Sequence, residues 1–243
     1  MVINYAHRGS SGYYPENTML SFEKAVEDGC DGIETDVQMT RDGVLVLIHD
    51  EKVDRTTNGT GHVGDYTYDE LLKLDAGSWK SEKFSGCRIP AFEDLLEFAK
   101  EKNIKINYEI KTGIVMYEGI EEKIINTIYK YGMENNVILS SFNHYSMVEC
   151  KKISREIKTG LLYADGLYKP EIYCRYVGAD AIHPVLYAMR EEVIGGVKAA
   201  GILINVYTVN DEKYMKYFIK LGVDGIITNY PDRLRKILVN KNA

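Results

Sequence analysis

The stretch Glu27-Asp28-Gly29-Cys30-Asp31-Gly32-Ile33-Glu34-Thr35-Asp36-Val37-Gln38 joins the end of a helical segment to an apolar, strand-like run. Glycine is common at the C-terminus of a helix, and Gly29 stands where the helical pattern stops. A similar turn recurs near the other end of the chain as Leu221-Gly222-Val223-Asp224-Gly225-Ile226-Ile227. The recurrence indicates that helices and strands alternate along the chain.

Eight strand-like runs alternate with eight segments of helical periodicity. We predict strands at residues 2–7, 32–38, 104–109, 137–141, 157–162, 181–183, 202–207 and 225–228. We predict helices at residues 18–28, 92–100, 118–131, 145–152, 169–176, 190–200, 212–221 and 231–239. Eight successive strand–helix units favour an α/β fold in which a parallel sheet closes into a (β/α)8 TIM barrel.

One interval, from about residue 50 to about residue 90, breaks this alternation. It contains turn-forming sequence around Asn58-Gly59 and Thr60-Gly61, with one helical candidate at residues 68–74. Long excursions inside a compact domain are usually functional or disordered, and the aromatic residues here argue against disorder. We therefore predict one domain, residues 1–243, with a small cap inserted after the second strand. A hairpin return at residues 43–49 leads into the cap.

Bulk properties exclude several classes of protein. The formal net charge of −6 argues against a nucleic-acid partner, because such binding depends on Lys and Arg. The four cysteines are scattered, which favours reduced core residues over disulfides or a zinc site. We find no signal-peptide pattern and no membrane-spanning run, so we expect a cytoplasmic protein without stable membrane association. A homo-oligomer is compatible with the sequence.

Charged and titratable residues stand where the first three barrel strands and the hairpin end. They are His7, Arg8, Glu34, Asp36, His49, Glu109 and Lys111. Residues two apart on a strand share a face, and active sites of these barrels lie at the carboxyl ends of the strands. We therefore expect these side chains to converge on one rim.

The converging residue types suit the hydrolysis of a phosphodiester. Glu34, Asp36 and Glu109 offer oxygen ligands to one divalent cation, Mg²⁺ or Ca²⁺. Arg8 and Lys111 can bind phosphate oxygens. The remaining pair, the two histidines, titrates near neutrality and can exchange protons as general acid and base.

Each residue also has a plain structural interpretation when taken alone. His7 and His49 could be structural histidines. Glu34 and Asp36 could simply be solvated residues at the end of a strand. Glu109 and Lys111 could form an ordinary surface ion pair. Co-occurrence at matching strand ends favours a site. Ser141, His183 and Trp79 are weaker candidates for pocket-lining residues.

Motifs in a fixed order show that the chain resembles the glycerophosphodiester phosphodiesterases over essentially its whole length. They include His7-Arg8-Gly9, Pro15-Glu16-Asn17-Thr18, Glu34-Thr35-Asp36-Val37, His49-Asp50, Arg55-Thr56-Thr57-Asn58-Gly59, Leu74-Asp75-Ala76-Gly77-Ser78-Trp79, Ile89-Pro90, Glu109-Ile110-Lys111, Ser141-Phe142, Tyr207-Thr208-Val209-Asn210 and Asp224-Gly225-Ile226-Ile227-Thr228-Asn229-Tyr230-Pro231.

The resemblance implies hydrolysis of glycerophosphodiesters to sn-glycerol 3-phosphate and an alcohol. It also implies that Glu34, Asp36 and Glu109 are metal ligands, that His7 and His49 are the acid–base pair, and that Arg8 and Lys111 contact the phosphate. Tyr207 departs from the family, which usually has Trp there; the change keeps an aromatic pocket wall and adds a hydroxyl. The short chain is similar to the cytoplasmic branch.

Several alternatives stay open at the level of sequence. The nucleophile is either an activated water or the substrate's own glycerol hydroxyl, acting through a cyclic phosphate. A phospholipase D- or C-like enzyme acting on (lyso)phospholipids is a rival, disfavoured because we see no basic amphipathic or exposed apolar docking segment. A non-catalytic phosphoester-binding barrel is a rival from another class. The sequence leaves open the head group, the choice between Mg²⁺ and Ca²⁺, and which histidine is the acid.

Overall fold

The computed structural model describes residues 1–240. Its strands are β1 Ile3–His7, β2 Gly32–Met39, β3 Leu45–Leu47, β4 Lys105–Ile110, β5 Val137–Ser141, β6 Lys158–Tyr163, β7 Ala181–Pro184, β8 Leu203–Val206 and β9 Gly225–Thr228. Its α-helices are α1 Met19–Glu27, α2 Tyr68–Leu71, α3 Phe92–Lys102, α4 Ile120–Tyr131, α5 His144–Ile153, α6 Pro170–Val177, α7 Glu191–Ala199, α8 Glu212–Leu221 and α9 Pro231–Asn240.

The sheet closes on itself through its first two strands. The strand order is β1-β9-β8-β7-β6-β5-β4-β2, and β1 pairs in parallel with β2. Short β3 runs antiparallel to β2 and forms the hairpin return that the sequence predicts. The (β/α)8 TIM barrel is therefore confirmed. Its register aligns His7 with Glu34 and Asp36 with Glu109, which positions the rim residues side by side.

Four predicted strand starts, at residues 2, 104, 157 and 202, are one residue too early, and two of them have a common cause. Ile104 and Ile202 are apolar and buried, yet their amides donate to carbonyls of the preceding helices, at Ala99 and Val197. The chain is still completing the helix C-terminus at these residues, so β4 and β8 begin at the next position. Hydrophobicity alone does not distinguish a strand residue from a buried turn residue.

Part of the barrel interior is polar. The ring of His183 is fully buried, accepts a hydrogen bond from the Asn205 amide at 2.9 Å and lies 3.4 Å from the Asn107 amide. Ser140 donates to Asn107 at 2.9 Å. Gly160 leaves room for the ring, since a Cβ at this position would lie 2.5 Å from its Nε2. His183, which we expected to line the pocket, is thus a residue of the barrel interior.

The segment between β3 and α3 forms the small insertion and has an apolar cluster of its own. Val53, Val63, Leu71, Ala76 and Ile89 are among the buried members of that cluster. Its helix α2 ends at Leu71 rather than at the predicted residue 74.

The side chain of Asp75 ties the second half of the insertion together. It accepts hydrogen bonds from the backbone amides of Gly77, Ser78 and Gly86 and from the Ser85 hydroxyl. Within residues 1–240, no helix combines the length and apolar character needed to cross a membrane.

Candidate active site

Three buried carboxylates meet on the neighbouring strands β2 and β4. Glu34, Asp36 and Glu109 each offer one oxygen such that these atoms all lie within 4.8 Å of one another. Parallel pairing of the two strands and the two-residue spacing on β2 produce this cluster. The structure therefore brings the predicted metal ligands together.

Arg8 spans the cluster because of an unusual backbone conformation. Its φ of 54° is in the left-handed region, and its amide donates to the Glu34 carbonyl at 2.7 Å. The guanidinium then reaches Glu16 through Nη1 at 2.9 Å, while Nε lies 3.3 Å from Asp36 Oδ2. Backbone strain at such positions is characteristic of functional sites.

Lys111 provides the second cation from the loop after β4. Its Nζ lies 2.9 Å from Glu109 Oε1 and 4.0 Å from Asp36 Oδ1. It also lies 3.3 Å from Nε2 of His49. One ammonium group thus contacts both the carboxylate cluster and a histidine.

Burial and neighbouring charges shift the pKa values of the three carboxylates in different directions. Burial, reinforced by the neighbouring charge of Asp36, raises the pKa of Glu34 well above its usual value and raises that of Glu109. Burial would raise the pKa of Asp36 as well, but the charge of Arg8, helped by Lys111, lowers it overall. Three carboxylates therefore share two neighbouring cations, Arg8 and Lys111.

The charge and geometry of the cluster fit a divalent cation. Asp36 Oδ1 is buried and has no hydrogen-bond partner among the described residues, which leaves one acceptor free for a ligand. Hard cations such as Mg²⁺ and Ca²⁺ prefer carboxylate oxygens, and Glu34 and Glu109 supply two more. A cation at this place would counter the burial and the mutual repulsion that raise their pKa values.

Both histidines are held through Nδ1, with Nε2 directed at the charged cluster. His7 Nδ1 lies 2.6 Å from Asn229 Oδ1, an acceptor, so Nδ1 carries the proton; Nε2 lies 3.8 Å from Glu34 Oε2. Burial, with a further contribution from Arg8, lowers the pKa of His7 to about 4. His49 Nδ1 lies 2.6 Å from Asp50 Oδ1.

An arginine of the insertion connects it to the rim. Arg55 donates to both oxygens of Glu16, at 2.8 and 3.0 Å, and through Nε to Asp50 at 2.7 Å. Its hydrogen bonds lower the pKa of Asp50 to about 2, so Asp50 is an anion beside His49 at neutral pH. The Trp79 ring lies 6.0 Å from the Arg55 guanidinium and remains partly exposed.

Two other predicted lining residues lie at the end of β5 and just after β8. The Ser141 hydroxyl is buried and donates to the Ile110 carbonyl at 2.7 Å, so it supports the end of β4. Tyr207 donates to the Tyr163 carbonyl, and its ring packs edge-on against Phe142 at 6.1 Å. Tyr207 is thus a wall residue of the rim, whereas Ser141 is covered.

Sequence reasoning assigned no role to several residues that organise the site. Asn229 holds His7, Glu16 joins Arg8 to Arg55, and Asn17 donates to Asp36 Oδ2 at 2.9 Å. All of them occur in the quoted family motifs, and this was the only indication in the sequence that they belong to the site.

Fold and rim residues together define the class: a (β/α)8-barrel enzyme with a carboxylate-rich centre and two positioned histidines. Comparison with known families then identifies the family within this class. The model of the glycerophosphoryl diester phosphodiesterase family matches residues 7–233, and the chain belongs to that family.

Named relatives and solved structures are similar to the chain over nearly their whole length. A glycerophosphodiester phosphodiesterase of Caldanaerobacter subterraneus is 49% identical, with 94% of each chain covered, and one of Bacillus altitudinis is 43% identical, with 96% of each covered. An Oleispira antarctica phosphodiesterase, solved with the product sn-glycerol-3-phosphate, has a TM-score of 0.87 at 29% identity, covering 97% of this chain and 96% of that one.

Proposed function

We propose that this chain hydrolyses glycerophosphodiesters to sn-glycerol 3-phosphate and an alcohol. The observation that carries the proposal is the convergence of Glu34, Asp36 and Glu109 with His7 and His49 on one rim. The similar enzymes named above support the substrate class.

In this proposal, Glu34, Asp36 and Glu109 hold one divalent cation, Mg²⁺ or Ca²⁺. When bound, such a cation polarises a phosphoryl oxygen and offsets charge that develops during the reaction. Arg8 and Lys111 flank the same carboxylates and bind the remaining phosphate oxygens.

The two histidines have different surroundings, which suggests different tasks. His7 is neutral at pH 7, with the proton on Nδ1 held by Asn229, so its Nε2 is free to accept a proton from the nucleophile. His49 is held by Asp50 at Nδ1, which directs its Nε2 into the site to pass a proton to the leaving alcohol. We therefore assign His7 as the base and His49 as the acid.

Release of sn-glycerol 3-phosphate from glycerophosphocholine and glycerophosphoethanolamine tests the proposal. We expect release with Mg²⁺ or Ca²⁺, none with EDTA, and a loss on the order of 10²- to 10⁴-fold in kcat for His7→Ala and His49→Ala. His62→Ala, a substitution of an exposed histidine in the insertion, is the matched control and should retain full activity. Near-normal turnover by both catalytic variants would contradict the assignment.

The nucleophile can be identified with a diester that lacks a neighbouring hydroxyl. Bis(p-nitrophenyl) phosphate cannot form a cyclic phosphate, so it is a substrate only for the route in which water attacks directly. Turnover comparable to that of glycerophosphocholine would exclude attack by the glycerol hydroxyl.

A further inference from the structure

Helix α6 presents large apolar side chains to solvent on the outside of the barrel. Ile172 is 61% exposed, and Tyr176, one turn further along, is 88% exposed. Residues four apart are neighbours on the surface of a helix, so these two side chains form one stripe. On the opposite face, Cys174 is fully buried and donates to the Ala181 carbonyl of β7. The outer face of α6 is therefore an apolar surface that the described part of the chain leaves exposed.

Two neighbouring loops extend this apolar surface with further aromatic side chains. Tyr168 is 85% exposed in the loop before α6, and Tyr187 is 78% exposed in the short 3-10 helix after β7. Both line a cavity of about 460 Å³ between α6 and α7. Tyr168, Ile172, Tyr176 and Tyr187, which we call the tyrosine face, thus combine a protruding stripe with an adjoining cavity. Aromatic side chains are enriched in this way at protein–protein interfaces.

The area of the tyrosine face is close to what a stable interface needs. An aromatic side chain buries roughly 200 Å² when it is fully covered. Three largely exposed tyrosines and one half-exposed isoleucine therefore offer roughly 600 Å² of contact surface. A standard interface buries roughly 800 Å² on each partner, so the residues that border the face need to supply only the remainder.

Two charged residues of opposite sign border the stripe on the side of α6 that faces α7. The Glu171 carboxylate lies over Gly196 of α7, where a Cβ would be 3.6 Å from its Oε1. Arg175 donates to the Ala200 carbonyl at the end of α7 at 3.3 Å. When two copies of a helix pack antiparallel about a twofold axis, the same flank of each copy meets in reversed order. Glu171 and Arg175 then form two reciprocal ion pairs across the axis.

We propose that the protein forms a twofold homodimer in which α6 packs antiparallel against α6 of a second copy. The twofold axis crosses α6 at the level of Tyr173, midway between Glu171 and Arg175. This register brings the two Ile172 side chains together and carries each Tyr176 to the cavity beside the start of the other α6. Opposite charges on one flank make the surface complementary to itself, whereas an anionic membrane or a nucleic acid would favour cations alone.

Sedimentation equilibrium of the purified protein, with exchange of the paired charges, tests the proposal. We expect the wild type to have the mass of a dimer at micromolar concentrations. Glu171→Arg gathers four cations at the axis and Arg175→Glu gathers four carboxylates, so each should weaken dimerisation by roughly a hundredfold or more. The double variant Glu171→Arg/Arg175→Glu restores opposite charges and should dimerise within about threefold of the wild type.

A second variant tests the apolar part of the interface. Tyr176→Ala should weaken dimerisation by roughly thirtyfold, because a tyrosine that fills a pocket is a typical interface hot spot. Glu23→Arg, at an exposed position of α1, is the matched charge control and should leave the dimer unchanged. Circular dichroism verifies that each variant is folded. A wild type that is monomeric at every concentration, a dimer that both single charge variants retain, or an exchanged pair that stays monomeric would each overturn the proposal.

Discussion

His7 depends on a partner that is 222 positions away in the chain. Asn229 follows the last strand and reaches His7 only because β9 pairs with β1 when the barrel closes. This contact fixes which ring nitrogen is unprotonated. Asn229 is therefore a positioning residue, and we expect its loss to affect turnover rather than substrate binding.

Asn229→Ala should lower kcat on the order of 10²-fold while KM changes little, because the ring loses its orientation but not its place in the site. The measurement is steady-state turnover of glycerophosphocholine at saturating cation. Asn126→Ala, at an exposed position of α4, is the control. A rise in KM alone would show instead that Asn229 contacts the substrate.

At the residue scale, the sequence could predict which side chains converge wherever their spacing on a strand determines the face to which they point. Glu34, Asp36 and Glu109 could be placed together from the two-residue period and from strand ends. Glu16 could not be assigned from pattern, because its role depends on Arg8 and on Arg55 of the insertion. Residues that are distant in sequence and meet only in the folded barrel produce no local periodicity that sequence analysis could detect.

At the scale of elements, charged side chains help to join the insertion to the barrel and to organise it. Arg55 joins it to Glu16, and Asp75 organises its second half. The position of the insertion after the second strand could be predicted because the insertion interrupts the alternation of helices and strands. Its internal arrangement could not, because hydrogen bonds to one carboxylate, rather than hydrophobic periodicity, shape it.

Asp75→Ala should loosen residues 76–88 without unfolding the barrel. The amides of Gly77, Ser78 and Gly86 lose their acceptor, so their exchange with deuterium should accelerate by roughly tenfold or more, the equivalent of one lost hydrogen bond to a charged group. Hydrogen exchange by mass spectrometry measures this, with β5 as the internal reference. Equal protection of this segment in both proteins would refute the role of Asp75.

At the scale of the whole molecule, burial of neutral histidines makes stability depend on pH. Burial lowers the pKa of His183 to about 3, against 6.5 for an unburied histidine. Between these values the unfolded chain binds a proton that the folded chain does not. The free energy of unfolding therefore falls as the pH falls below about 6.5, by about 1.4 kcal/mol per pH unit for this residue.

His183→Gln should remove this contribution, whatever its effect on stability at neutral pH. Urea unfolding at about pH 7 and about pH 5 gives the slope for each protein, and we expect the variant's slope to be smaller by about 1 kcal/mol per pH unit, because part of this interval lies above the unfolded pKa. His7 contributes a slope of the same sign in both proteins. Identical slopes would mean that His183 titrates normally.

The barrel as a whole could be predicted from eight alternating units, whereas its polar interior could not, since Asn107, His183 and Asn205 lie in otherwise apolar strands. Cytoplasmic location, the absence of a nucleic-acid partner and the oligomeric state stay predictions. They concern the surroundings of the chain rather than its fold.

The most direct test of the account is phosphorus NMR of glycerophosphocholine incubated with the protein and Mg²⁺ in ¹⁸O-enriched water. The account predicts sn-glycerol 3-phosphate and choline, with the label on the phosphate, and no product in EDTA or with His7→Ala. Formation of phosphocholine and glycerol, or the same product at the same rate in EDTA, would contradict it.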